Sequence, residues 1–459
     1  MFFEREIYKN LVEWSKSSDQ ALYLEGPRQV GKTELLKKLG NEQFHTCIHI
    51  DLRTNGTASK LEDSLNTYTA QFGHAGSAED KAPIWEAVFA ELSPAYKNDN
   101  QTLVILDEIQ QSPAIYNSIR DIRRSLKSKL AVSGSYLGIA RQSDEYWEPA
   151  GDLHYVELAS LSFTEFLKSN GIWDKYDQVK TFDLSEMTEV EQIICEQVRE
   201  LYYIYCQIGG YPEVVRAWIK NQNTDSCKNI SSALLRALYR ESSAYFGDVI
   251  GHVLWSRTLE RVASHMVTKS GNLDIVIAKD EFRNDDSKGL EIRRKDKVNA
   301  LKWLEDCKIV GIAQVYGELD RVATPGNKSL FFFRDMGIMA QLCKNSTAIL
   351  PSDLDGMVAE NFVYLHLLDL AGEHFMESDV CSYSGSLGQI DFVMHSKKRV
   401  RFGIEVKHGS GVTKSGNKAL EDGTIDYLVR VQDTYGSVSD NQATIPIFML
   451  DKFRLLLEN

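Results

Sequence analysis

One octapeptide restricts the fold of this chain more than any other stretch. Residues 26–33 read GPRQVGKT and fit G-x-x-x-x-G-K-[ST], a loop whose spacing serves phosphate binding. Gly26 and Gly31 permit the tight curl that turns backbone N–H groups inward, and Pro27, Arg28, Gln29 and Val30 span the cradle between them. Lys32 is placed to reach the β- and γ-phosphates of a nucleotide, and Thr33 to offer its hydroxyl to Mg²⁺. The apolar run Ala21-Leu22-Tyr23-Leu24 before the loop predicts a buried parallel strand. Leu35, Leu36 and Leu39 predict the buried face of a helix over Glu34 to Leu39, which directs its positive end at the same phosphates. Strand, loop and helix in this order predict an α/β fold with a parallel sheet that binds ATP with Mg²⁺.

The following residues extend that pattern. Phe2 to Ser15 has the spacing of an amphipathic helix, and His45 to Leu52 reads as a second strand. Ser77 to Leu92 is expected to be helical. Thr102 to Leu106 is a continuous apolar run, as expected of a strand covered on both faces, and it delivers Asp107-Glu108. This is a Walker B arrangement: Asp107 would hold Mg²⁺ and Glu108 would act as general base on the attacking water. Ser112 as N-cap and Pro113 start a helix expected to reach Leu126. Its Arg120, Arg123 and Arg124 form either a solvated basic face, or an arginine finger or phosphate-sensing partner surface. Leu130 to Val132 is a fourth strand ending in Ser133-Gly134-Ser135, where Ser133 or Ser135 could sense the γ-phosphate. His154 to Leu158 is a fifth. In such a sheet the ligand sits at the strand carboxyl ends.

Charge and cysteine use narrow the function classes. The chain of 459 residues has a net charge of −13, which argues against general nucleic-acid binding but leaves room for a local basic face. Seven cysteines without a C-x-x-C pair argue against a disulfide framework or a zinc site, and for a reducing cytoplasm. No apolar run reaches the length of a membrane span, so a membrane is not expected among the partners.

GPRQVGKT, LVILDEIQ, the SGS after the fourth strand, LASLSFTEFL (158–167) and GGYPEVV (209–215) occur in this order. The chain thereby resembles prokaryotic AAA+-superfamily P-loop ATPases that carry a C-terminal domain of uncertain function with a restriction-endonuclease-like fold. The resemblance implies an ATPase core over 1–160, a helical lid over 161–248, a winged-helix domain over 249–328 and a nuclease-like α/β domain over 329–459. One departure stands out. Where such proteins have Ala-Gly-Arg before the fifth strand, this chain has Ala150-Gly151-Asp152, with Arg141 nearby. Arg236 and Arg240, on the last lid helix, stand where related ATPases place a second phosphate sensor, or are surface arginines. Arg293-Arg294-Lys295 is a small basic run inside the expected winged-helix domain, whose helix would meet DNA through the major groove or serve only as a packing module.

The C-terminal domain holds a second constellation: Glu360 on a helix, Asp391 in GQIDFVM, and Glu405 and Lys407 in GIEVKHG. Strand alternation puts Glu405 and Lys407 on one face and Ile404 and Val406 on the other. Asp391 comes from the preceding strand of a hairpin turned at Ser396-Lys397-Lys398. The set resembles the PD-(D/E)-x-K nuclease core, in which Asp391 and Glu405 would hold Mg²⁺ against a phosphodiester, with Lys407 and Glu360 assisting. Lys397, Lys398, Arg399, Arg401, Lys407, His408, Lys414 and Lys418 supply local positive charge for DNA. Two functions stay open: an ATP-driven enzyme acting on DNA, and a nucleotide switch that docks a protein partner. No motif encodes the oligomeric state.

Overall fold

The computed structural model describes residues 2–73, 77, 79–135, 145–147, 149, 151–246, 248–269, 294–317, 329–344, 350–376, 379–386, 388–407 and 414–458. They fall into two compact units. One comprises residues 4–159 with 306–308, and the other residues 1–3, 160–305 and 309–459.

The first unit runs α1 (Tyr8–Ser17), β1 (Ala21–Glu25), α2 (Lys32–Gln43), β2 (Thr46–Asp51), α3 (Thr57–Phe72), α4 (Ala82–Leu92), β3 (Thr102–Asp107), α5 (Pro113–Asn117), α6 (Ile119–Ser125), β4 (Lys129–Gly134) and β5 (Leu153–Glu157). Its five strands are ordered β2-β3-β4-β1-β5, and every pairing is parallel. β3 is buried along its whole length, as a strand sandwiched between helices must be. Tyr23, Val104, Leu106 and Val132 pack on one side with Trp85, Phe89, Ile115 and Ile119. Ser112 caps α5 by accepting from the Ile115 N–H. The helix expected to continue to Leu126 instead restarts after Ser118, and the one expected from Ser77 begins at Ala82 after a short 3₁₀ turn. The sequence order of strands does not reveal that β4 lies between β1 and β3. That insertion brings Ser133 and Ser135 between the loop and the Asp107-Glu108 pair.

The second unit continues with α7 (Phe163–Ser169), α8 (Trp173–Tyr176), α9 (Glu189–Ile208), α10 (Pro212–Asn221), α11 (Thr224–Phe246), α12 (Asp248–Thr268) and α13 (Arg294–Asp306). Then come β6 (Val310–Tyr316), β7 (Ser329–Phe333), α14 (Met336–Lys344), α15 (Pro351–Leu370), β8 (Cys381–Gly385), β9 (Gly388–His395), β10 (Arg401–Lys407), α16 (Lys414–Glu421), β11 (Tyr427–Gln432), β12 (Val438–Ser439), β13 (Gln442–Pro446) and α17 (Arg454–Glu458). Eight strands form one sheet in the order β12-β13-β11-β10-β9-β8-β6-β7.

One expectation about this region is corrected. The boundary at 328/329 does not separate a winged helix from a C-terminal domain. β6 pairs antiparallel with β7 and parallel with β8, so an apolar strand that needs partners on both edges finds them in the common sheet. Of the rest of the expected winged-helix domain, residues 249–269 and 294–309 form α12, α13 and their ends, while 270–293 and 318–328 lie outside the described residues. Within the stretch expected as a helical lid lies an acidic segment from Trp173 to Glu200. It packs on the C-terminal segment: the Tyr176 hydroxyl donates to Asp451 at 2.5 Å, Lys452 donates to the Tyr176 carbonyl at 3.1 Å, and Arg199 pairs with Asp433 at 3.0 Å.

The two signature motifs meet in this unit, and their residues have structural work to do. In LSFTEFL, Ser162 and Glu165 form a reciprocal capping box that starts α7, which satisfies two otherwise orphaned N–H groups. Phe163 packs against Tyr205 and Phe362. In GGYPE, Gly209 has φ +72°, and a Cβ there would stand 2.4 Å from both Asp335 Oδ1 and the Gly337 nitrogen. A Cβ on Gly210 would lie 2.0 Å from the Leu161 carbonyl oxygen. The Gly210 N–H donates to the buried Asp335 at 2.9 Å, and the Leu161 N–H to the Gly210 carbonyl at 2.7 Å. No side chain fits either position.

Candidate nucleotide-binding site and a second acidic centre

The loop between β1 and α2 adopts the curl that its glycines permit. Gly26 has φ +151° and Gly31 φ +100°, and Gln29 also takes a positive φ of 64°. A Cβ at Gly26 would meet the Leu158 carbonyl oxygen at 2.1 Å, whereas one at Gly31 would meet nothing within 4 Å. The first glycine is therefore required by packing and the second by backbone conformation. Arg5 braces the loop from behind: its guanidinium donates to the Val30 carbonyl at 3.1 Å and to the Ala159 carbonyl at 2.7 Å. Nothing in the local sequence marked Arg5, because its partners lie 25 and 154 residues away.

Lys32 is buried. Its ammonium donates to the carbonyls of Gly26 and Pro27 at 2.8 Å each and to Ser135 Oγ at 3.0 Å. Burial lowers its pKa to about 8, against the opposing charges of Glu108 and Asp107. The Thr33 hydroxyl donates to Asp107 Oδ2 at 2.6 Å. Ser133 donates to Asp107 Oδ1, and His49, one strand over on β2, lies 3.1 Å from Asp107 Oδ2. Burial alone would push the Asp107 carboxyl up, but the hydrogen bonds from His49, Ser133 and Thr33 outweigh it and hold the group well below the usual carboxylate range. Asp107 is thus kept ionised where a cation would meet it. His49 was not singled out from sequence; the register Asp51↔Asp107 between β2 and β3 is what sets it beside the carboxylate.

Glu108 turns out of the strand at φ +55°. Its carboxylate accepts from the Gln110 side chain at 2.5 Å and lies 3.9 Å from Arg53. Arg28, in the loop, has its pKa lowered by burial and by Arg53. The predicted residues of the loop, the acidic pair and the two serines therefore occupy one end of the sheet, at the carboxyl ends of β1, β3 and β4. The residues fit a magnesium nucleotide: Lys32 and Thr33 face a buried, ionised carboxylate beside the open space at Gly31.

The departure at Asp152 also has a physical account. Asp152 accepts from Arg124 at 2.9 and 3.0 Å and lies 3.3 Å from Arg120, and Arg123 lies 3.5 Å from Asp19. All three arginines of α6 thereby lie beside carboxylates of their own unit. Arg141 lies outside the described residues. Arg236 and Arg240 are exposed on α11.

In the second unit, Asp391 on β9 and Glu405 on β10 stand on adjacent antiparallel strands. Asp391 Oδ2 accepts from the Val406 N–H at 3.0 Å. Glu405 is buried and lies 3.5 Å from Lys407, and Gly416 of α16 approaches its Oε1 so closely that a Cβ would stand 2.6 Å away. Burial and Asp391 push the Glu405 carboxyl up, against Lys407. Ile404 and Val406 are buried on the other face.

The residue that sequence inspection missed is Lys269, just past the end of α12. Its ammonium lies 2.8 Å from Glu360 Oε1 and 2.9 Å from Asp391 Oδ1. Burial and Asp391 raise the Glu360 pKa to about 7, with Lys269 opposing. Among the described residues no group of three or more His, Cys, Asp or Glu is arranged to hold a metal ion. As they stand, the carboxylates are matched to the chain's own ammonium groups and do not fit a metal centre.

The expected basic patch is also divided. Lys397, Lys398 and Arg399 are exposed on the β9–β10 turn, at the opposite end of the hairpin from Glu405. Arg401 is committed to Asp426. Lys414 and Lys418 are exposed on α16, and His408 lies outside the described residues. No helix among the described residues is long and apolar enough to cross a membrane.

Residues 18–167 match the AAA domain family, and residues 199–348 match a domain of unknown function (DUF8612). A search of curated proteins returned no match. Among solved structures, a Walker-type ATPase of Pyrococcus abyssi is 14% identical over 74% of this chain and 96% of that one, with a TM-score of 0.43. The Orc1 protein of Aeropyrum pernix, solved in complex with DNA, is 12% identical over 75% of this chain and 93% of that one, with a TM-score of 0.26. Cdc6p of Pyrobaculum aerophilum is 10% identical over 74% and 93%, with a TM-score of 0.25. None of the three scores is high enough to establish a shared fold for the whole chain. The family match, the parallel sheet and the loop agree on a P-loop α/β architecture for residues 18–167, similar to the AAA domain.

Proposed function

We propose that this protein hydrolyses ATP with Mg²⁺, and that its nucleotide state controls a nuclease-like unit that binds or cleaves DNA. The observation that carries the first part is the convergence of Lys32, Thr33, Glu108, Ser133 and Ser135 around the buried carboxylate of Asp107. Bound Mg²⁺ would neutralise the charge that develops on the phosphates. Thr33 and Asp107 would hold the metal, and Lys32 would exchange its bonds to the loop carbonyls for phosphate oxygens. Glu108 would take the proton of the attacking water while Gln110 and Arg53 orient its carboxylate. Ser135 hydrogen-bonds Lys32 and Ser133 hydrogen-bonds Asp107, so each serine is positioned to sense a change at its partner.

Support for the nuclease-like unit is topological. The order helix α15, strands β8, β9 and β10, helix α16 and strand β11, with β11 parallel to β10, brings Glu360, Asp391, Glu405 and Lys407 towards one end of the β9–β10 pair. A second reading has its own observation. The bridge from Lys269 to Glu360 and Asp391 suits a non-catalytic unit that acts as a scaffold for a protein partner, with ATP as the switch.

ATP turnover of wild type and Glu108→Gln, with and without DNA at two salt concentrations, separates the two. Stimulation by DNA that fades with salt supports the first. Turnover indifferent to DNA, together with no cleavage of single- or double-stranded DNA in Mg²⁺ or Mn²⁺, supports the switch. Asp391→Ala should abolish any cleavage and leave ATP hydrolysis intact.

A further inference from the structure

Lys269 reaches the acidic centre from a different element than the residues it joins. Glu360 comes from α15 and Asp391 from β9, whereas Lys269 follows α12, whose last turn it closes by donating its N–H to the His265 carbonyl at 2.8 Å. The ammonium stands between one oxygen of each carboxylate, at 2.8 and 2.9 Å. Asp391 is held in this orientation because its other oxygen accepts the Val406 N–H, the kind of supporting bond that aims a ligand at a cation. The three side chains are only 21%, 19% and 12% exposed. Two ionised carboxylates with so little access to water are stabilised by a cation between them.

We propose that Lys269 is a built-in counter-cation, standing where a divalent metal ion would bridge Glu360 and Asp391, so that the metal enters only when Lys269 withdraws. With all three carboxylates ionised, charge balance favours the exchange. Three carboxylates (Glu360, Asp391 and Glu405) face two ammonium groups (Lys269 and Lys407), so a divalent ion added beside Lys269 would overfill the site, whereas one that replaces it would be retained. The inference rests on the nuclease-like reading only in taking a divalent metal as the competitor.

The test uses the full chain without nucleotide, and Mn²⁺ as the probe, with bound ion counted by electron paramagnetic resonance. Lys269→Gln and Lys269→Met should bind one Mn²⁺ at least tenfold more tightly than wild type. Adding Asp391→Asn to either should abolish that gain, which assigns the ion to this centre rather than to the P-loop. Both variants should melt below wild type without metal and recover with Mn²⁺, because the ion restores the missing charge. A variant that is destabilised and not rescued, or that binds Mn²⁺ no more tightly than wild type, overturns the proposal. DNA cleavage is not the readout: a protein that never cuts DNA but gains Mn²⁺ in Lys269→Gln loses the nuclease reading and keeps this one.

Discussion

Replacing Lys32 by Met should separate nucleotide binding from the stability of the first unit. In the nucleotide-free protein the ammonium is buried, and its pKa falls from 10.5 to about 8. At neutral pH that shift corresponds to a penalty of about 3 kcal/mol for keeping the charge inside. The three hydrogen bonds to Gly26, Pro27 and Ser135 offset it at ~1 kcal/mol each. Met has similar length, removes the buried charge and forfeits all three bonds, so the two effects nearly cancel. The variant should unfold within about 2 kcal/mol of wild type when no nucleotide is present. Saturating Mg·ATP should stabilise wild type by about 3 kcal/mol at a hundredfold excess over Kd, and the variant not at all. Differential scanning calorimetry, following the transition that ATP shifts in wild type, measures both quantities. A variant that still gains stability from ATP would remove Lys32 from the phosphate site. One that loses more than about 4 kcal/mol without nucleotide would show that the bonds far outweigh the buried charge.

Glu108→Gln should lower ATP turnover by about 10²- to 10⁴-fold, as removal of a general base does, with ATP binding preserved; turnover within tenfold of wild type would assign the base elsewhere. Gly210→Ala places a Cβ 2.0 Å from the Leu161 carbonyl and should destabilise the second unit by at least about 1–3 kcal/mol, read by urea denaturation; an unchanged midpoint would mean the junction yields freely. His366 on α15 has its pKa depressed to about 4 by burial and by Arg454. Its folded value lies below its unfolded value of 6.5, so stability is fully present above about 6.5 and is lost as pH falls towards 4, by up to about 3 kcal/mol. His366→Gln should flatten that part of the acid-unfolding curve, and an unaltered curve would place the acid sensitivity in other groups.

The first unit was legible where function needs a local conformation. The octapeptide 26–33 requires glycine at two backbone positions, and the apolar run before Asp107-Glu108 requires burial on both faces. Each requirement is met within a short window, so residue types alone carry it. The signature motifs around Ser162 and Gly209 were visible as patterns. Their reasons, a capping box and two glycines pressed against Asp335 and Leu161, needed coordinates. The place of Val310–Tyr316, inside the expected winged-helix domain of 249–328, was not legible because strand partnership is decided by which edges are free: the strand joins the large sheet.

By itself the sequence determined the phosphate loop, the acidic pair, the alternation of strands and helices, and the register that puts Glu405 and Lys407 on one face of a strand. Only the tertiary structure decided what those groups touch. The insertion of β4 between β1 and β3 delivers Ser133 to Asp107, Asp152 collects the arginines of α6, Arg5 braces the loop, and Lys269 enters between Glu360 and Asp391. The physical reason is range. Backbone curl and facial alternation follow from neighbouring residues, whereas the pairing of Lys269 with carboxylates 91 and 122 positions away depends on strand order and helix packing, which no short window of sequence contains.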